Sequence, residues 1–441
     1  MSNGASAGKG FMPFLKKCPN RLKKICRTLF RKGIKPFPAL GNVTTDFLIG
    51  QTLFRKGMKP SPALGNKKIM RILQVITSLQ TGGAETLVVN LVPRLRAMGN
   101  DVDVCVFNGV ETPLMARLRK ENPGIRIWKL GHGYYNPLYI LKLVRIMRRY
   151  GIVHTHNSSP QLFVAAASLL CSVGLCTTEH TTSNRKRRWK WYAPIESWMY
   201  SQYSHIVCIS KIAEDKLREY MGGKWMDAQS PYYHRISTIN NGVDVGKIYN
   251  AQPDAGLLRQ KGPRRAIVMI AGFREAKDQD TLVRAMALLD SQQYELWLVG
   301  VGTRQQEVEE LARQSGVSDR VRFLGLRMDV PNVLRAADII VMSSHWEGLS
   351  LSNIEGMAAG KPFIASDVNG LREVTKGYGL LFPEGDAGAL AKEIQQLTDD
   401  QAYYQSVADR CYQRAREYDI KETAEKYYKT YTKLMSRHLN S

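Results

Sequence analysis

From Met70 onward, short apolar runs alternate with longer amphipathic stretches, and the alternation restarts once. Arg71 to Thr77 reads as a strand, Thr81-Gly82-Gly83-Ala84-Glu85 as a tight loop, and Thr86 to Met98 as a helix stopped by Gly99; Val102 to Phe107 is the next strand. The same order begins again at Ala266 to Ala271, beyond a polar, Gly-containing stretch from Pro253 to Pro263 that reads as a linker. Strands alternating with helices predict a parallel α/β sheet. Two such runs in 441 residues predict two α/β domains, 70–252 and 264–418, with a last polar helix over 419–441 packing back across them.

The second run carries the densest chemistry. Ala337 to Met342 reads as a buried strand. The polar loop Ser344-His345-Trp346-Glu347-Gly348-Leu349-Ser350 follows, then a short helix from Leu351 that stops at Gly360-Lys361-Pro362. Strand, loop and helix start together offer free backbone N–H groups to an anion. Glu347 and Glu355 bracket the loop eight positions apart. On one helix they would differ by about 80° in direction and about 12 Å in height. They therefore do not form a dyad sharing one proton, and they suit a long ligand gripped at two points. As an isolated pair they would read as solvated loop and cap charges.

The segment Glu347-Gly348-Leu349 through Glu355-Gly356-Met357-Ala358-Ala359-Gly360-Lys361-Pro362 resembles the Glu-x7-Glu signature of the retaining, family-4 type of nucleotide-sugar glycosyltransferase. The resemblance covers Met70 to the C-terminus. It implies a GT-B fold, two Rossmann-like domains facing across a cleft, and transfer of a sugar from a nucleoside diphosphate to an acceptor hydroxyl with retention. By the same resemblance Glu355 holds the ribose, Glu347 faces the transferred sugar, and Gly348, Leu349, Ser350 and Leu351 lie near the diphosphate. The loop at Gly82 and Gly83 closes on the phosphates from the opposite domain; without the resemblance it is a strand-to-helix turn. Lys277 and an arginine neutralise the leaving diphosphate. Gly272 stands where that arginine is expected, and Arg274 is placed to substitute. Leu326, with Arg327, lies beside the base. The implied acceptor is a saccharide or lipid-linked saccharide, in cell-surface polysaccharide synthesis.

Two further strand ends open into polar loops, Ile152-Val153-His154-Thr155-His156-Asn157 and Cys176-Thr177-Thr178-Glu179-His180. Loops at the carboxyl ends of parallel strands are where open sheets bind ligands. His180 matches the family histidine that touches the donor sugar near the reacting carbon, and His156 is assigned to the acceptor side. For either, the alternative is a histidine that only supports the fold. Residues 185–192, basic and Trp-rich, read either as an interfacial contact with an anionic membrane or as a solvated basic helix with its aromatics turned inward.

Net charge is +24, and the excess is uneven. Residues 1–69 hold fifteen Lys and Arg against one acid, Asp46, which makes +14 of that total. The run Thr28 to Asn42 recurs as Thr52 to Asn66, rich in Pro, Gly and Lys, so 1–69 is expected to be disordered. It reads as a basic membrane tether or as translated sequence upstream of a start at Met70. The basic residues follow no nucleic-acid-binding motif, so no nucleic-acid partner is expected. Seven scattered cysteines and the lack of carboxylate clusters at ligand spacing predict reduced thiols, no essential metal and no cofactor beyond the donor. The expected location is the cytoplasm, with peripheral contact to the cytoplasmic membrane face. Two other classes stay open: an inverting GT-B transferase or epimerase, which would lack the Glu-x7-Glu loop, and a non-catalytic nucleotide-sugar or lipid-binding GT-B protein, whose only support is the Gly272 departure.

Overall fold

The computed structural model describes residues 69–80, 82–181, 187, 189, 191–348 and 350–439. The basic extension up to residue 68, Thr81, Leu349 and half of the 185–192 segment (residues 185, 186, 188 and 190) lie outside the described residues. The strands form two wholly parallel sheets. The first holds β1 (Arg71–Ile76), β2 (Asp101–Asn108), β3 (Ile127–Gly131), β4 (Ile152–His156), β5 (Gly174–Glu179), β6 (His205–Cys208) and β7 (Ile236–Thr238), in the order β3-β2-β1-β4-β5-β6-β7. The second holds β8 (Arg265–Ile270), β9 (Tyr294–Val299), β10 (Val321–Phe323), β11 (Ile339–Met342), β12 (Phe363–Ser366) and β13 (Leu380–Phe382), in the order β10-β9-β8-β11-β12-β13. Both orders reverse beside their first strand, between β1 and β4 and between β8 and β11. Such reversals, at the carboxyl edge, are where open α/β sheets bind ligands.

Central strands are buried on both faces because helices cover both. β9 and β11 are buried throughout, and β1 is buried from Ile72 to Ile76. Helices Gln279–Leu288 and Ala387–Asp399 pack together on one side of the second sheet. Strands β3, β12 and β13, five, four and three residues long, escape the sequence pattern. Leu380–Phe382 is β13, at the edge of the sheet.

The expected linker is not free of structure. Helix Ala255–Lys261 occupies it, capped by Asp254, which accepts from the N–H groups of Gly256 and Leu257 at 2.8 and 3.0 Å. Leu257 is buried in the second core, and so are Val243, Val245 and Ile248. The chain thus joins the second half at Val243, earlier than the boundary at 252 read from sequence. It crosses back beside that point, since Ile420 N–H donates to Val243 O at 2.8 Å. A Cβ on Gly242 would lie 2.5 Å from Thr423 Oγ1 and 2.9 Å from Ile420 Cα, so only glycine lets the two crossings touch. The final helix, Ile420–Leu439, then lays Ile420, Ala424, Tyr427, Tyr431 and Leu434 into the first half's core.

Candidate active site

In the second half the two switch-point loops are stitched together. Asp278 N–H donates to Ser343 O at 3.2 Å, Ser343 Oγ to Asp278 O at 2.5 Å, and His345 N–H to Ala276 O at 3.0 Å. This pairing of the segment after β8 with the segment after β11 brings Lys277 against Glu347. Their side chains form an ion pair and are only 17% and 14% exposed. Ser344 Oγ donates to the same Glu347 oxygen at 3.1 Å. Burial, helped by the nearby Arg274 charge, pushes the Lys277 ammonium down to about 8. Arg274 itself is exposed and folds back, so that a Cβ on Gly272 would lie 3.6 Å from its Nε. The side chain thus returns to the position where the sequence pattern lacks an arginine.

Helix Leu351–Ala358 begins beside this pair. Ser350 occupies its N-cap, and its hydroxyl makes no capping bond. The first N–H groups of the helix therefore lack a side-chain acceptor and carry the positive end of the helix dipole. Glu347–Gly348 is held by the loop after β12. Gly370 sits at φ +89°, and a Cβ there would overlap the Gly348 carbonyl. One turn into the helix, Glu355 accepts no hydrogen bond among the described residues. Burial pushes its carboxyl up to about 7, against the opposing charge of Arg117 from the first half. Arg117 is in turn fixed by Asn90 Oδ1 and Glu121 Oε1, each at 3.0 Å. A site that strains an acid and a lysine toward neutral pH within one loop system is a candidate for ligand chemistry.

The first half meets this helix start at its glycine loop, where a Cβ on Gly83 would lie 4.0 Å from Leu351 Cδ1. Gly82 occupies the N-cap of helix Gly83–Ala97, and the carboxylate of Glu85 folds back over it. Glu85 is also hydrogen-bonded to the Asn157 side chain, and burial raises its carboxyl. Asn157 has φ 71° and ψ 156°, the one positive φ outside glycine among the described residues. That region is sparsely populated for any residue with a Cβ, so the turn after β4 holds backbone strain next to the glycine loop.

Period two in β4 and β5 puts His154, His156, Thr178 and His180 on one face. Gln74 of β1 pairs in register with His154. His156 is fully buried. Its Nε2 lies 2.8 Å from Gln74 Oε1 and its Nδ1 2.9 Å from His180 Nε2, so it meets a ligand only through His180. Burial holds both imidazoles down, His180 to about 4, so they are neutral at pH 7. His180 Nδ1 is buried without a partner, a state that costs about 1–3 kcal/mol unless a ligand completes it.

The remaining sequence-selected groups are more dispersed. Leu326 is 51% exposed at the end of β10, and Arg327 beside it is paired to Asp254 and Asp329. Within 185–192, Arg187 turns inward to Glu196 and Glu179, while Trp189 and Trp191 stack on each other and stay exposed. Sequence reasoning missed Gln74, Arg117, Asn157, Tyr427 and Tyr431. A signal existed for Gln74, the one polar residue inside the apolar run Ile72 to Ile76. Among the described residues no group of three or more His, Cys, Asp and Glu is placed to hold a metal ion, and no helix is long and apolar enough to cross a membrane.

Two facing parallel sheets with their functional groups at the opposed carboxyl edges make this a GT-B protein. The second half matches the model for glycosyl transferases group 1 over residues 257–418, and the first half matches that for glycosyltransferase family 4 over 81–247. The chain belongs to this glycosyltransferase family. It is 33% identical over 220 residues to the putative glycosyltransferase EpsD of Bacillus subtilis, covering 48% of this chain and 56% of that one. With EpsF of the same organism it shares 26% over 324 residues, 70% of this chain and 82% of the relative. The chain thus spans little more than half of the first relative's length. Among solved structures, HepE of Anabaena in complex with UDP and glucose superposes with a TM-score of 0.70 at 19% identity, covering 82% of this chain and 99% of that one.

Proposed function

We propose that the chain moves a sugar from a nucleoside diphosphate to a hydroxyl of a saccharide or lipid-linked acceptor, with retention at the anomeric carbon. The observation that carries this reading is the meeting of Lys277 and Glu347 beside an uncapped helix start, at the point where the second sheet reverses. In this reading the diphosphate takes Glu347's place on Lys277 and rests against the N–H groups at Leu351, with Arg274 as the second cation. Glu355 accepts hydrogen bonds from the ribose. Glu347, released from Lys277, holds the hydroxyls of the transferred sugar, and His180 meets the same sugar from the first half. The bond from the anomeric carbon to the diphosphate oxygen breaks while the acceptor oxygen bonds to that carbon from the same face. The acceptor's proton passes to the departing phosphate oxygen. Cations and helix dipole offset the developing charge, which supports turnover without a divalent ion.

A UDP-sugar is the first donor to try, because one relative, from Escherichia coli and 25% identical over 286 residues, is named as a UDP-Gal-dependent galactosyltransferase acting on a diphosphoundecaprenol-linked sugar. A lipid-linked acceptor suits the exposed Trp189 and Trp191 pair, read here as a peripheral contact with an anionic membrane face. Thermal-shift titration with UDP-, GDP- and ADP-sugars tests the donor, and NMR of the product's anomeric proton tests retention. An inverted product overturns the stereochemistry. Failure of every nucleotide sugar to bind overturns the donor site. Turnover should persist in EDTA, and loss restored by Mn or Mg would contradict metal independence.

A further inference from the structure

The histidine face of the first half is wired in one direction. Tyr431 OH lies 2.6 Å from His154 Nδ1 and 3.1 Å from Gln74 Nε2. The phenol has a single proton. The shorter spacing is that of an O–H donor, and the longer that of an N–H donor. Tyr431 therefore donates to His154, which leaves its oxygen to accept from the Gln74 amide N–H. His154 Nε2–H donates onward to Thr178 Oγ1 at 2.8 Å, and Thr178 is closed by Tyr427 OH at 3.0 Å. With its amide nitrogen turned to Tyr431, Gln74 presents only its carbonyl oxygen to His156, 2.8 Å away. His156 Nε2 must carry the proton, and its Nδ1 is then a lone pair. That lone pair faces His180 Nε2 at 2.9 Å, so His180 Nε2 must also carry the proton. Each link is fully buried up to His180, so water cannot reset the order.

We propose that Tyr431, Gln74 and His156 are positioning residues that lock His180 in the Nε2-protonated tautomer, so that its unpartnered Nδ1 accepts a hydrogen bond from a ligand hydroxyl. The proposal rests on the reading of His180 as a group that meets the sugar. The final helix thereby acts on the site through hydrogen-bond direction alone, since Tyr431 has no need to touch the ligand. Reversal of the chain would turn His180 Nδ1 into a donor, which a sugar hydroxyl can also answer but with its own proton turned elsewhere.

The test is long-range ¹H–¹⁵N NMR of the full chain labelled in histidine, with the His180 signals assigned by their loss in His180→Gln. In the unsubstituted protein His180 should show a protonated Nε2 and a bare Nδ1, with or without donor. Gln74→Met removes the carbonyl acceptor at similar size and should convert much of His180 to the Nδ1-protonated form. It should lower kcat about tenfold while the donor KM stays within about twofold. Tyr431→Phe frees the Gln74 amide to turn over and should give a mixture of the two forms in a chain that stays folded. A protonated His180 Nδ1 in the unsubstituted protein overturns the proposal. So does an unchanged tautomer in a folded Tyr431→Phe chain. The tautomer is read without substrate, so it can fail while the donor reading stands, and stand while the donor reading fails.

Discussion

The two halves reverse their strand order at corresponding places, yet they treat polar groups at those places in opposite ways. On the first sheet, Gln74, His154, His156, Thr178, Tyr427 and Tyr431 satisfy one another, and a single nitrogen, His180 Nδ1, is left over. On the second sheet, charges are left strained. Lys277 and Glu355 are both pushed toward neutral pH, and the helix start at Leu351 has no side-chain cap. A network that satisfies itself fixes geometry. Charges that remain costly in the free protein are completed by a ligand, so the second half is where binding energy is expected and the first half is where direction is set.

The largest expected break in this contrast is Lys277→Met. It removes the one buried cation that would meet the leaving diphosphate, and turnover should fall about 10²–10³-fold. Steady-state rates at saturating donor check it. Gly370→Ala comes next. It forces a Cβ into the left-handed region and against the Gly348 carbonyl, and should cost about 1–3 kcal/mol in urea unfolding together with a higher donor KM. The third expectation concerns pH. Burial pushes the Glu355 carboxyl up to about 7, and on the proposed reading the ribose hydroxyls meet its carboxylate, so nucleoside diphosphate affinity should fall by up to about tenfold per unit as pH drops below about 7. Part of that slope belongs to the diphosphate itself, and Glu355→Gln should abolish the remainder. The same shift has a stability side. The folded carboxyl binds its proton more tightly than the unfolded one, so its contribution to stability is greatest below 4.5 and declines until about pH 7. Glu355→Gln should therefore raise stability at neutral pH by about 1–3 kcal/mol while it damages binding. The smallest expected effect is on the first sheet, where Tyr427→Phe should cost about 1 kcal/mol in stability and leave nucleoside diphosphate affinity unchanged.

The second half was legible in the sequence because its chemistry is local. Glu347, Ser350 and Glu355 lie on one strand-loop-helix unit, so the spacing carries the geometry. Lys277 needed only the adjacent strand β8. The first half was much less legible. Gln74, His156, His180 and Tyr431 come from three strands and the last helix, and no spacing rule links positions so far apart. The helix inside the expected linker, Pro253 to Pro263, was hidden for a related reason. A polar stretch with glycine reads as a linker, and the burial of Leu257 against the second core becomes visible only once that core exists.

The central claim is that the second half grips the donor at two separate points, ribose at Glu355 and sugar at Glu347. Calorimetry of the free nucleoside diphosphate and of the intact donor on Glu355→Gln and Glu347→Gln tests it most directly. Glu355→Gln should weaken both ligands by about ten- to a hundredfold, the worth of a charge-assisted hydrogen bond. Glu347→Gln should leave the diphosphate as tight or tighter, because Lys277 is then free, and should weaken the intact donor and its turnover. Equal loss of diphosphate binding in both variants, or no change in either, would contradict the division.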